Sequence, residues 1–287
     1  MLRGVFFLIA SIYMASALYA SQSTITDAEG YACMGEDKSR KQTEHDALTD
    51  AKRNAAENAL TYIKSETRVK ESILEKDLIE AYANASVKLI QELGKGWYND
   101  ASTGDCFRIR IKAEITPDIK IMERISKDKS TNDDPSAPLK IQIWTDKKSY
   151  RQGEKIRVYI KGNKPFYARV TYKDAREKIV QLLPNPYRAE NYFNGGPVYE
   201  IPSGKDNFEL EVGPPFGKEE VIVYASTSIL GDIDLEQQGG IYKIRTGERD
   251  IGDKTRGVKI KRKESNKEKE AAASEFYEEK IVLETGR

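Results

Sequence analysis

From Cys106 to Ile115 apolar and polar residues alternate without a break, with Phe107, Ile109, Ile111, Ala113 and Ile115 on one side and Cys106, Arg108, Arg110, Lys112 and Glu114 on the other. A period of two fits a pleated strand that buries one face and wets the other, and it does not fit a helix. The same period returns in shorter runs. Leu139, Ile141 and Ile143 alternate with Lys140, Gln142 and Trp144; Ile156, Val158 and Ile160 with Arg157, Tyr159 and Lys161; and Val221, Val223 and Ala225 form a further run. These segments require sheets with an apolar side to cover, and the cover must come from helices or a second sheet.

The first half of the chain supplies helices. Between Ser39 and Ile63 small and apolar residues recur three and four apart at Ala47, Leu48, Ala51, Ala55, Ala59 and Leu60, a stripe that can lie close against a sheet. A second helix is expected within Glu75–Ala85, where Leu78, Ile79 and Tyr82 keep helical spacing, and a strand over Ala28–Met34. The segment Val87–Tyr98 turns through Asn99–Gly104 into the alternating strand as a hairpin. The expectation is a small α/β domain over residues 24–118, a three-stranded antiparallel sheet with two helices. Residues 119–138 read as a linker, because KDKSTNDDPSAP at its end is polar and carries two prolines, and such a linker lets the halves move independently.

The second half, 139–287, is mostly short strands separated by Gly, Pro and Asn clusters, the pattern of an immunoglobulin-like β-sandwich. Further strands are expected near 168–173, 178–183, 199–201 and 208–212. The last apolar run, Lys280–Leu283, is expected to return to the sandwich edge. The fold class is therefore α+β in two domains.

Residues 1–20, MLRGVFFLIASIYMASALYA, place a basic residue before an apolar stretch that ends in small residues, the pattern of a secretory leader. The stretch is shorter than the roughly 20 apolar residues a membrane span needs, so no transmembrane segment is expected after cleavage. An exported chain meets an oxidising compartment, periplasmic or extracellular. There the only two cysteines, Cys33 and Cys106, read first as one disulfide, two free buried thiols being the alternative. If their strands are antiparallel neighbours, closing a loop of about 70 residues is worth on the order of 4 kcal/mol in the chain-entropy model.

With Arg3 removed, the formal net charge of +1 falls to zero, which argues against a nucleic-acid partner. No catalytic constellation is legible. The only histidine, His45, sits among polar residues of the Ala-rich helix with no nucleophile placed beside it. Asp232, Asp234 and Glu236 alternate in GDIDLE but lack the calcium-loop pattern, and no glycine-rich cradle follows a strand, so neither a metal nor a cofactor is assigned. Two features point to binding. In NPYRAENYFNGG, a loop-like stretch, Tyr187, Tyr192 and Phe193 are the aromatics expected to be exposed, where they can stack on sugar rings or anchor a partner. The run KTRGVKIKRKESNKEKE offers Lys261, Arg262 and Lys263 to an anionic envelope polymer, diluted by interleaved glutamates.

Two resemblances add to this. The Ala28-Glu29-Gly30 strand, the helix with Asp46-Ala47-x-x-Asp50-Ala51-x-Arg53-Asn54-Ala55, and the closing strand Arg110-Ile111-Lys112-Ala113-Glu114-Ile115 resemble the N-terminal domain of the flagellar assembly protein T family. That likeness implies an assembly role without catalytic residues. In the second half, Tyr150–Ile156, Phe166-Tyr167-Ala168, Leu182–Asn185, Tyr199–Pro202 and Gly217–Val223 resemble a bacterial domain family of unknown function, often C-terminal in exported proteins and sometimes joined to signalling or peptidase modules. Where that pattern leads us to expect a glycine, this chain has Lys173-Asp174-Ala175-Arg176-Glu177. The expectation is an exported, non-catalytic envelope protein that binds other envelope proteins in assembly, the alternative being a peptidoglycan or glycan binder.

Overall fold

The computed structural model describes residues 21–66, 72–127, 132–256 and 273–287. In the first half these form β1 (Ser21–Cys33), α1 (Arg40–Glu66), α2 (Ser72–Ala83), β2 (Ser86–Asp100), β3 (Gly104–Thr116) and α3 (Ile119–Lys127). The second half begins with β4 (Ile141–Thr145), β5 (Ser149–Arg151), β6 (Val158–Gly162), β7 (Phe166–Lys173), β8 (Ile179–Leu183), β9 (Tyr192–Phe193) and β10 (Tyr199–Ile201). It ends with β11 (Lys218–Ser226), β12 (Leu235–Gln238), β13 (Ile241–Ile244), α4 (Glu248–Arg256) and β14 (Ser274–Gly286). The molecule is α+β and rich in strands. A curled 11-stranded sheet runs β12-β13-β8-β7-β11-β14-β1-β3-β2, with β5 added parallel to β14 and β9 antiparallel to β7, and a separate three-stranded sheet runs β10-β6-β4.

The apolar face of β3 is covered as read, while Cys106 and Glu114, placed by the alternation on the wet face, are buried as well. Ile109, Ile111, Ala113 and Ile115 are buried under the alanine stripe of α1, where Ala47, Ala51, Ala55 and Ala59 are fully covered. Small side chains let the helix approach so closely that a Cβ on Gly30 would lie 2.1 Å from the Ala51 amide nitrogen. The same helix closes the spare edge of β1. Asp50 accepts a bond from the Tyr31 amide at 3.1 Å, while Asn54 and Asn58 donate to the carbonyls of Glu29 and Asp27 at 2.8 and 3.3 Å. These residues stand four apart on one helix face, and they satisfy alternate backbone groups of a strand that would otherwise offer a free edge. The row Asp50, Asn54 and Asn58 is thus a packing device. At the far end of β1, Cys33 is in register with Cys106 and the two form a disulfide with Cα atoms 3.9 Å apart.

The span 119–138, read as linker, carries helix α3. Its start is capped by Asp118, whose Oδ1 accepts bonds from the amides of Lys120 and Ile121 at 2.9 and 3.1 Å, and Ile121 and Ile125 one turn apart bury into the first core. Further on, Asn163 Nδ2 donates to the carbonyls of Asp134, Ala137 and Pro138 and holds that stretch in place.

The expectation of independently moving halves is corrected by β14. Instead of returning to a sandwich edge, this strand lies inside the large sheet, paired over Lys218–Ser226 with β11 on one side and over Ser21–Ile25 with β1 on the other. Buried charge locks both faces of that seam. On the helix-bearing face Glu275 takes the Lys164 ammonium at 2.8 Å and also accepts the Leu139 amide, and Thr24 bonds the Tyr82 hydroxyl at 2.8 Å. On the opposite face Arg256, at the end of α4, meets Glu114 at 2.6 Å and Glu278 at 3.1 Å, and lies 4.2 Å over the ring of Phe276. Ser23 completes this group by donating to Glu114 at 2.7 Å, and Lys88 of β2 reaches Asp253 of α4 at 2.6 Å.

Beyond the seam the three-stranded sheet packs on the same face of the large sheet as α1. Leu139, Ile141, Ile143, Val158, Ile160 and Ile201 from one layer and Ala168, Val170, Val221, Val223, Ala225 and Leu283 from the other share one core. On the other face Leu230, Ile233 and Ile251, from either side of β12 and β13, pack on Ile222, Tyr224 and Phe276, and this layer is pinned by Arg169. That buried guanidinium donates to Gln181, Thr255 and the Gly231 carbonyl at 2.9, 2.7 and 3.0 Å. The strand expected over 208–212 is reduced to the single bridge Lys155–Glu211. Pairing there stops because Gly213, Pro214 and Pro215 follow at once, and proline gives no ladder donor.

Candidate binding cleft

The small sheet does not cover the full width of its partner. Where β7 and β8 run past it, Tyr172, Val180 and Leu182 form one wall, and Ile156 and Leu210 the other. The opening between them is a cleft of about 340 Å³, closed at one end by Pro214 and Pro215 and flanked by Ile241 of β13, which is 48 % exposed. That volume sits at the lower end of the range of ligand pockets, which begins near roughly 300 Å³.

Its polar groups are few. Glu219 is buried at the base, where the Tyr172 hydroxyl donates to its carboxylate. Burial pushes the Glu219 carboxyl above its ordinary range, and burial together with the neighbouring carboxylate pushes the Tyr172 hydroxyl up as well. At the rim Asp174 organises the charged hairpin between β7 and β8. Its Oδ1 accepts bonds from the amides of Arg176 and Lys178 at 2.8 and 2.9 Å, and the turn closes through Glu177 in the left-handed region at φ 62°. Of the run that departs from the expected glycine, Asp174 lines one lip of the cleft, together with Lys178 just beyond it. Glu209 and Glu211 form the other, Glu209 paired with Lys155 at 2.5 Å.

The aromatic residues singled out in the sequence are not brought together. Tyr192 is 44 % exposed and packs tilted on Tyr167, with ring centroids 5.0 Å apart. Tyr187 is 56 % exposed, stacks on Phe208 at 6.3 Å, and sets its hydroxyl against Gly240. Phe193 leaves the set of exposed candidates. The pairing of β9 with β7 turns it into the core at 1 % exposure, between Phe166 and Tyr199 at 5.3 and 4.9 Å. Because side chains alternate across a strand, Tyr192 and Phe193 necessarily point to opposite faces. Lys261, Arg262 and Lys263 lie outside the described residues. His45 is exposed on α1. In the acidic GDIDLE stretch Asp234 pairs with Lys254 at 2.5 Å and Glu236 with Arg245. Among the described residues no helix is long and apolar enough to cross a membrane.

The cleft falls in one recognisable segment. Residues 149–228 match a protein-family model. The matching family is described as Domain of unknown function (DUF4384), and no curated protein matches the chain. The matched segment runs from β5 to β11, and every lining residue of the cleft except Ile241 lies within it. The second-half motifs noted in the sequence lie within this segment as well. The cleft itself was not read from the sequence, because Tyr172, Val180 and Leu182 alternate as core residues do and period alone does not say where a covering layer stops.

Proposed function

We propose that the protein is an exported, non-catalytic envelope component that acts by binding other proteins during assembly in the periplasm. The observation that carries this reading is the open, apolar, acid-rimmed cleft, presented by a body whose halves share one sheet. A preformed recess on a stiff support lowers the ordering cost of binding. The leader-like first residues and the Cys33–Cys106 disulfide support export, and the N-terminal likeness to the flagellar assembly protein T family supports an assembly role. Two layers sharing a core support the reading of the second half as an immunoglobulin-like sandwich.

A photo-crosslinking residue placed at Leu210 in intact cells, compared with one at His45, tests the proposal. Reproducible capture of the same envelope proteins from the cleft but not from α1 is expected. Equal capture from both positions, or none, refutes it. The glycan-binding alternative rests on the two exposed tyrosines. It predicts that the protein pellets with purified cell wall and loses this on Tyr192→Ala.

A further inference from the structure

Inside the cleft the hydrogen-bonding groups are already matched. The one buried carboxylate, Glu219, is engaged by the Tyr172 hydroxyl and by bonds from the Thr285 side chain and the Ala175 backbone, so a polar group inserted there would lose its water for little gain. The walls that remain, Ile156, Val180, Leu182 and Leu210, reward apolar surface. About 340 Å³ accommodates one or two aliphatic side chains, and not a folded element.

The rim has a sign. Four carboxylates line the cleft, Asp174, Glu209, Glu211 and Glu219, against one ammonium, Lys178. Lys155 offsets Glu209, and Asp174 is engaged with its own turn, but among the described residues no cation pairs with the exposed Glu211. The mouth is thus acidic around an apolar floor. It repels anionic polymers, and its half-buried Tyr172 gives no open platform for a sugar ring.

We infer that the occupant is an extended segment of a partner protein that seats one or two aliphatic side chains between the sheets and sets lysine or arginine against the rim. The inference rests on the binding reading above and names the partner's chemistry.

The experiment uses the full exported chain and three capped, fluorescent peptides: alternating lysine and leucine, its glutamate–leucine twin, and its lysine–serine twin. The lysine–leucine peptide is expected to bind and the other two not. The combined change Glu209→Lys and Glu211→Lys, both at exposed positions, is expected to weaken it by about tenfold at low salt and to turn preference toward the glutamate–leucine peptide. Ile241→Ser at the mouth, where the side chain is exposed, is expected to weaken it without touching the core or the rim charge. Equal binding of the lysine–serine peptide, or an unchanged affinity after charge reversal, overturns the inference. If crosslinking from Leu210 still yields a partner while the peptides show no charge preference, the partner chemistry falls and the binding reading stands. If both fail, both fall.

Discussion

Glu279 of β14 is set to make the protein less stable as the solution becomes less acidic. Burial raises its carboxyl from 4.5 to about 7, with Lys140 opposing weakly, and one of its oxygens is buried with no hydrogen-bond partner. Such a group favours the folded state when protonated. Its contribution is fully present below the unfolded value and is lost as pH rises through about 7. A rise of that size corresponds to about 3 kcal/mol, at about 1.4 kcal/mol per tenfold change. Because part of the side chain still meets solvent, about 3 kcal/mol is an upper bound. Glu279→Gln keeps the shape and removes the charge. Urea unfolding of the two proteins from about pH 4 to about pH 8 should give nearly equal stability at the acid end and a widening advantage for the variant toward the alkaline end. Glu219 and Glu278 are also raised, and Asp46, Glu154, Glu220 and Asp234 are lowered, but they remain in both proteins, so the difference isolates Glu279. A difference that does not change with pH would refute the reasoning.

Gly30→Ala should cost about 3 kcal/mol or more in the same unfolding assay, because the added carbon meets backbone atoms of Ala51 and Ala47 at 2.1 and 2.4 Å and neither can turn aside. Replacing Cys33 and Cys106 together by serine should lower stability by about 4 kcal/mol, as expected for opening a loop with a sequence separation of 73, and reduction of the unaltered protein should match it. Arg256→Ala should cost about 3–5 kcal/mol by leaving Glu114 and Glu278 without their cation, and adding Glu114→Gln should recover part of the loss. If the single change is silent, the seam is not held by that cluster.

What was legible in the sequence was the inside of each element. The alternation of β3 and the alanine stripe of α1 state which face is covered, and both are covered as written. What was not legible was the partner. β14 hides its burial because Glu275 and Glu278 are charged, and they are tolerable in the interior only through Lys164 and Arg256, residues distant in the chain. Helix α3 was passed over because Ile119, Ile121, Met122 and Ile125 make a short pattern ahead of a polar stretch. Phe193 was misplaced because a two-residue strand leaves too few positions to show a period. The cleft follows from where one sheet ends over another, a property of two layers and not of any run of residues.

The pairing of Ser21–Ile25 with Ser274–Glu278 also sets an order of events. A chain emerging from its N-terminus can lay α1 on β1, β2 and β3 early, since those contacts are local to the first half, but the flank of β1 toward β14 stays open until some 250 residues later have arrived. The seam is therefore a completion mark. A chain truncated before β14 would lose the strand that joins β11 to β1, and the two edges so exposed are the parts a protease or an aggregating neighbour would find first.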